Sequence, residues 1–446
     1  VSATLEAPEL ASRWGLFTHR DFRLLWAGQT VSRLGSSITS IALPLVAVLA
    51  LDAGPQAVGL LTAAAWLPWL FFGLPAGVWV GRVPRRSVMI VCNLGSAALF
   101  ASVPLASGLG VLTLTQLLAV AFLTGTAAVF FDAAFHAYLP ELVPAEDLIE
   151  ANAKLEGSAS AANVAGRGLA GLTVQLLGAA AGLLADAVSF LIAAATLRAI
   201  RARPAATPAA ALGTAAGAAP VAALEAPARE GLLREVREGL AFLWRDPYLR
   251  AFTLYGAAAN FALAGGYQSV AALFLVRDAG IAPGWVGALA SAGAVGGILG
   301  ALVARPLCRR LGTARGLRIV LLTVSPVGLL MPLAGPGARA AFYVVGLFGV
   351  VAAVTLVNVV LSSFRQSYTP PALLTRVTAG AMVAGYTLIP LGALAAGALG
   401  DAVGTRATMW VMTTLLALCG ALPLASPLRT LRDLPGRPGP TGSSSS

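Results

Sequence analysis

Charge is scarce in this chain: 11% of its 446 residues are charged, and lysine occurs once, at Lys154, against 29 arginines. Soluble proteins carry about 25% charged residues, so a soluble globular fold is excluded. Cysteine is sparse as well. Cys92, Cys308 and Cys419 stand far apart in apolar settings, which excludes a disulfide framework and a thiolate metal centre. The two histidines, His19 and His136, are too distant in sequence to suggest a metal pair. No phosphate-binding glycine loop, nucleophile elbow or cluster of metal ligands occurs. No metal, no cofactor and no enzymatic activity, ATP hydrolysis included, is therefore expected. Residues 1–24 lack the apolar centre and cleavage site of a signal peptide, so the first apolar helix is expected to direct insertion itself.

What the chain has in quantity is apolar length. Hydrophobic residues make up 58% of it, and the mean hydropathy is +0.82. Runs of about 20 residues rich in Ala, Leu, Gly and Val recur along it, each long enough as a helix to cross roughly 30 Å of hydrocarbon. Outer-membrane strands would alternate apolar and polar residues, and these runs do not. The reading is an all-α membrane protein with twelve transmembrane helices, at 25–50, 56–80, 87–107, 111–131, 157–179, 181–199, 251–275, 283–304, 316–335, 340–363, 377–399 and 406–425.

The spans fall into two groups of six. An N-terminal segment (1–24) precedes a six-helix bundle (25–203), and an Ala- and Pro-rich stretch (204–228) reads as a flexible linker. Residues 229–250 place Leu232, Leu233, Val236, Leu240 and Leu243 on one helix face, which suits the membrane surface. A second bundle (251–426) and a disordered tail (427–446) complete the chain. With both termini on one face of the membrane, 25 of the 30 basic residues fall on that face. Only Arg277, Arg339 and Arg406 fall on the other, while Arg33 and Arg167 lie inside spans. By the positive-inside rule the basic face is cytoplasmic, which predicts a multi-pass inner (plasma) membrane protein. The net charge of +11 is then a matter of topology, and no nucleic-acid partner is expected.

One basic turn occurs twice. Gly77-Val-Trp-Val-Gly81-Arg82-Val-Pro-Arg85-Arg86 follows the second span, and Gly300-Ala-Leu-Val-Ala304-Arg305-Pro-Leu-Cys-Arg309-Arg310 follows the eighth. The same turn at the same place in each six-helix unit indicates a parallel duplication. Here the sequence resembles the major facilitator superfamily, whose G-x-x-x-D-R-x-x-R-R type motif lies between helices 2 and 3 with a degenerate copy between helices 8 and 9. Four further stretches resemble its siderophore and macrolide exporters: Phe22–Leu45, Phe130–Asn152, Asp186–Leu191 and Arg237–Ala251. The resemblance implies two pseudo-symmetric six-helix bundles and proton-coupled efflux of a hydrophobic or amphiphilic small molecule by alternating access. The expected partners are the bilayer, the cargo and protons, with the chain a monomer. An importer of the same fold, or a transport-inactive scaffold or sensor, are the rival readings.

The family pattern is broken in places. Gly81 replaces the motif acid, Ala304 holds the matching position in the second copy, and Arg167 stands where many proton-coupled drug exporters have a proline in a G-P-x-x-G type kink. The resemblance assigns gating to Gly77, Gly81, Arg82, Arg85, Arg86, Gly300, Arg305, Arg309 and Arg310, and the missing acid is expected either to weaken the cytoplasmic lock or to pass its role to Asp132. It also places helices 2, 5, 8 and 11 at the seam between the halves. The glycines Gly73, Gly77 and Gly81, with Gly293, Gly296, Gly297 and Gly300, are then either seam surfaces or ordinary tight packing.

Charges within the membrane cost several kcal/mol and need a reason. Arg33 and Arg167 are expected at one depth, either meeting an anionic or acceptor-rich part of the cargo or snorkelling to the surface. Asp186, placed near the outer edge, is a proton-coupling candidate whose rival reading is helix capping or packing. Gln29, Gln116, Thr124, Asn260, Tyr267, Gln268, Thr355 and Asn358 are the remaining candidate cargo ligands, each with an interhelical hydrogen bond as the alternative.

Overall fold

The computed structural model describes residues 15–73, 75–144, 147–201, 238–425 and 429–435. The linker and residues 229–237 of the amphipathic segment lie outside them. No strand occurs among the described residues. The helices are α1 (Arg20–Ala50), α2 (Pro55–Phe72, followed by the short helix Pro75–Val80), α3 (Arg85–Gly108), α4 (Leu114–Leu142), α5 (Leu148–Leu177) and α6 (Ala179–Ala199). In the second half they are α7 (Pro247–Asp278), α8 (Pro283–Leu311), α9 (Thr313–Leu333), α10 (Ala340–Tyr368), α11 (Pro371–Val403) and α12 (Thr405–Cys419). Ten of the helical stretches are long and apolar enough to cross a membrane. The two others stand where the fifth and twelfth spans were expected: α5 carries Glu150, Lys154, Glu156 and Arg167, and α12 has 15 residues.

Local chemistry accounts for the breaks. Span two was read as one helix over 56–80, but it stops after Phe72 and resumes at Pro75. A proline disfavours helical geometry in the residue before it and has no N–H to give. Gly178, Gly312 and Gly404 join consecutive helices at φ of 83°, 89° and 87°, a region where a side chain would be strained. Helix α7 contains two π-helical stretches, Asn260–Tyr267 and Phe274–Asp278, and α9 passes from a π stretch at Val320–Val324 into a 3-10 helix at Ser325–Leu333.

The tail expected to be disordered from 427 is ordered over 429–435. Asp433 accepts from the Thr313 backbone N–H (2.8 Å), Arg318 donates to the Leu431 carbonyl (3.0 Å), and the Leu434 N–H donates to the Thr313 hydroxyl (2.7 Å). Residues 238–245 are helical and lead into α7. There Asp246 accepts from the N–H groups of Tyr248 and Leu249 (both 2.9 Å) and from the Tyr368 hydroxyl (2.7 Å). Asp246→Ala removes an N-cap and an interhelical tie together. We expect a loss of about 1–2 kcal/mol, read as a lower melting temperature of the purified protein in detergent.

The halves meet where α2 packs on α11 and α5 packs on α8. These are the expected seam helices, yet the glycines that make the contact are different ones. A Cβ at Gly59 would lie 2.6 Å from the Ala393 carbonyl oxygen, and one at Gly397 would lie 3.1 Å from the Gln56 Cα. A Cβ at Gly287 would run into the backbone of Arg167 and Gly171, and one at Gly284 into Gln175. All these contacts lie toward the face opposite the basic turns, where Arg277 also pairs with Asp52 across the halves (2.5 Å). Gly293, Gly296 and Gly300 pack instead on α10 within their own half, and nothing lies within 4 Å of a Cβ at Gly77.

Candidate functional site

A cavity of about 450 Å³ lies in the N-terminal half, enclosed by α1, α2, α3, α4 and α6, with Gln268 of α7 reaching its wall from the other half. Its polar side comes chiefly from α1. Gln29, Ser32, Arg33, Ser36, Thr39 and Ser40 follow helical spacing, so one face of an otherwise apolar span turns polar toward the cavity. Trp66 and Trp69 of α2, Phe100 of α3, Phe131 of α4 and Phe190 of α6 supply its aromatic wall.

Asp186 is fully buried and lines this cavity. Its depth differs from the expected position near the outer edge. Gly35, in the middle of α1, has no Cβ, and the Asp186 carboxylate and Ser189 hydroxyl of α6 fill the space one would occupy. Ser189 donates to Asp186 Oδ1 (2.9 Å), and Thr39 stands beside the same carboxyl. Asp186 Oδ2, Thr39 Oγ1 and Asn93 Nδ2 have no hydrogen-bond partner among the described residues. Three unsatisfied polar atoms on one cavity wall are unusual, because buried polar groups are nearly always paired.

Arg33 and Arg167 flank the crossing of α1 and α5, where a Cβ at Gly166 would lie 2.7 Å from the Leu34 carbonyl oxygen and Ser37 donates to Asn163 (2.8 Å). They do not share a site. Arg33 lines the cavity, and no ion pair to it occurs among the described residues. Arg167 lies at the α5–α8 seam, close enough for its charge to act on Tyr267 and Tyr343 of the other half.

Of the expected cargo ligands, the cavity gathers Gln29, Arg33, Thr124 and Gln268, and it leaves Gln116, Arg167, Asn260, Tyr267, Thr355 and Asn358 outside. Gln116 donates to the Ser102 carbonyl (3.2 Å) and holds α4 to α3. The Tyr267 hydroxyl bonds that of Tyr343 (2.5 Å), and the Asn260 amide lies against Gly385. Thr355 stands beside Gly297 in the α8–α10 packing. For Gln116 and Tyr267 these are the interhelical hydrogen bonds of the alternative reading. Ser32, Ser36, Thr39, Ser40, Asn93 and Ser96 were missed, although the spacing along α1 could have revealed the first four.

The basic turn is also wired differently from the expectation. Arg85 pairs with Glu141 at the end of α4, and Arg86 donates to the carbonyls of Leu197 (2.8 Å) and Arg198 (2.7 Å) at the end of α6. Glu141 is therefore an acid that pairs with this turn, from a different place than position 81. Asp132 lines the cavity and faces His136 (3.6 Å). Gly81 and Arg82 lie exposed on the turn, as do Arg305, Arg309 and Arg310 along the end of α8.

The sequence profile of the Major Facilitator Superfamily matches residues 25–389. The multidrug efflux pump Tap of Mycolicibacterium fortuitum is 26% identical over 430 residues, covering 93% of this chain and 97% of Tap. Macrolide efflux protein A of Streptococcus pyogenes is 26% identical over 254 residues, 57% of each chain. Among solved structures, the nucleoside transporter NupG superposes with a TM-score of 0.72 over 92% of this chain and 99% of its own, at 11% identity.

Proposed function

Because the chain belongs to the Major Facilitator Superfamily, we propose that it is a proton-coupled exporter of an amphiphilic small molecule, held here open toward the cytoplasm. One observation carries this reading. The interlocked glycines and the Asp52–Arg277 pair join the halves toward one face, while the cavity runs from beneath that closure, at Pro44 and Leu61, to Asp132 on the side of the basic turns. With the basic face cytoplasmic, that asymmetry is the loading state of an exporter. The efflux pumps that the chain resembles over most of its length support the direction. In this reading the protein is a multi-pass protein of the plasma membrane with both termini in the cytoplasm.

Cargo occupies the cavity, with its acceptor-rich part on Arg33 and its apolar body against Trp66, Trp69 and Phe131. Asp186 carries the proton, since its free carboxyl oxygen stands on the cavity wall at mid-depth. Export is tested by reconstituting the chain in sealed vesicles, imposing a pH gradient and following a lipophilic fluorescent dye. Accumulation against the dye gradient that collapses on adding a protonophore is the expected result. Binding without gradient-dependent movement would favour the scaffold reading, and movement only in the opposite sense would favour an importer.

A further inference from the structure

The three aromatic rings at the α2–α11 contact are arranged in a way that ordinary packing does not require. Trp66 and Trp69 stand one turn apart on α2, and Tyr386 of α11 meets both, with ring centres 5.7 Å away and planes inclined at 60° and 79°. Edge-on packing of this kind keeps the rings from stacking flat on one another and leaves π faces available along the wall. All three rings are half-buried, and the two tryptophans border the cavity.

A carboxylate accompanies the rings. Asp132 lines the same cavity and lies close enough for its charge to act on the Tyr386 hydroxyl. Its neighbour Phe131 is a further cavity residue. The arginines of the basic turn leave this acid free, because Arg85 is engaged by Glu141 and Arg86 by the carbonyls at the end of α6. Its companion among the described residues is His136, whose Nδ1 also lies 2.9 Å from the Asp132 carbonyl oxygen. Arg33, the cation in the cavity wall, comes from α1 and forms no ion pair with Asp132.

Aromatic faces beside a carboxylate that no arginine among the described residues engages recognise a soft organic cation, which gains from the ring quadrupoles and from the charge together. We propose that Trp66, Trp69, Tyr386 and Asp132 form a subsite for a protonated amine or comparable lipophilic cation at one end of the cargo. The proposal rests on the exporter reading and narrows its cargo to amphiphiles that carry a positive group, with acceptor atoms toward Arg33. It also gives Asp132 a binding role in place of the gating role expected from its position. Tyr386 contributes from the opposite half, so the cation would be held by both halves at once.

Tetraphenylphosphonium and its neutral relative triphenylphosphine oxide serve as probes, with binding to the full chain in lipid nanodiscs measured by equilibrium dialysis. The wild-type protein should prefer the cation by about tenfold, Asp132→Asn should remove the preference while still binding the neutral probe, and Tyr386→Leu should weaken cation binding several-fold. Equal affinity for the two probes in the wild type, or an unchanged preference in Asp132→Asn, would overturn the subsite. Should Asp132→Asn bind neither probe, Asp132→Glu decides: a retained preference supports the subsite and a lost one sinks it. A chain that shows this preference but moves no dye under a pH gradient keeps the subsite and loses the exporter reading. Gradient-driven export without the preference does the reverse.

Discussion

Gly287→Leu should reverse the side from which the cavity is reached. A Cβ at this position collides with backbone atoms of α5, among them the Gly171 Cα at 2.9 Å, and backbone cannot give way as the tip of a side chain can. Overpacking of this kind costs about 1–3 kcal/mol. Because it burdens only the state in which α5 and α8 touch, a penalty near the upper limit shifts a two-state equilibrium by roughly 150-fold toward the state open on the other face. Cys92 borders the cavity and is half-buried, so it is a natural reporter once Cys308 and Cys419 are replaced by serine. In right-side-out vesicles a membrane-impermeant maleimide should label Cys92 slowly in the wild type and quickly in Gly287→Leu. Gly59→Leu, which burdens the α2–α11 contact in the same way, should act in the same direction. Unchanged labelling in both variants would mean that these glycines are packing surfaces without a part in the switch.

Asp186→Asn should reduce dye accumulation to the level of protein-free vesicles while leaving exchange down a concentration gradient intact. The substitution keeps an oxygen for the Ser189 hydroxyl and preserves the volume beside Gly35, so the contact of α6 with α1 has no reason to fail. What it removes is the ability to take and release a proton within the membrane, where ionisable side chains are costly and therefore rare. Asp186→Glu adds a methylene against Gly35 and should be impaired in rate rather than in coupling. Uphill export by Asp186→Asn would transfer the proton to another group, and Asp132 would be the first to test.

The spans were legible because hydrocarbon thickness and helical rise leave little freedom: most predicted boundaries fall within about six residues of the observed helix ends, and where they differ by more the helices run on past the span, as α4 does to Leu142, except at α2, which breaks after Phe72. The division into halves was legible because the basic turn repeats. The faces of the helices were not. A span that is apolar all round carries no stripe to say which side meets the cavity, so Trp66 and Trp69 gave no signal, and neither did the seam glycines Gly59 and Gly287. Polar residues in the middle of spans did give a signal but not a destination, since Gln116 and Tyr267 satisfy their hydrogen bonds with neighbouring helices. Asp186 was placed too near the surface because depth was counted along its own helix. In the fold that depth is set by Gly35, which brings the carboxyl level with the middle of α1.

The strand of chain at 429–435 bears on how this protein should be handled. Asp433 and Leu431 occupy the start of α9, next to the turn that ends in Arg309 and Arg310. A protein shortened to Ala425 to aid crystallisation would leave the Thr313 N–H and the Arg318 guanidinium to water and free the entry to α9 from its restraint. Purification handles are better placed beyond residue 435 than in exchange for the residues before it.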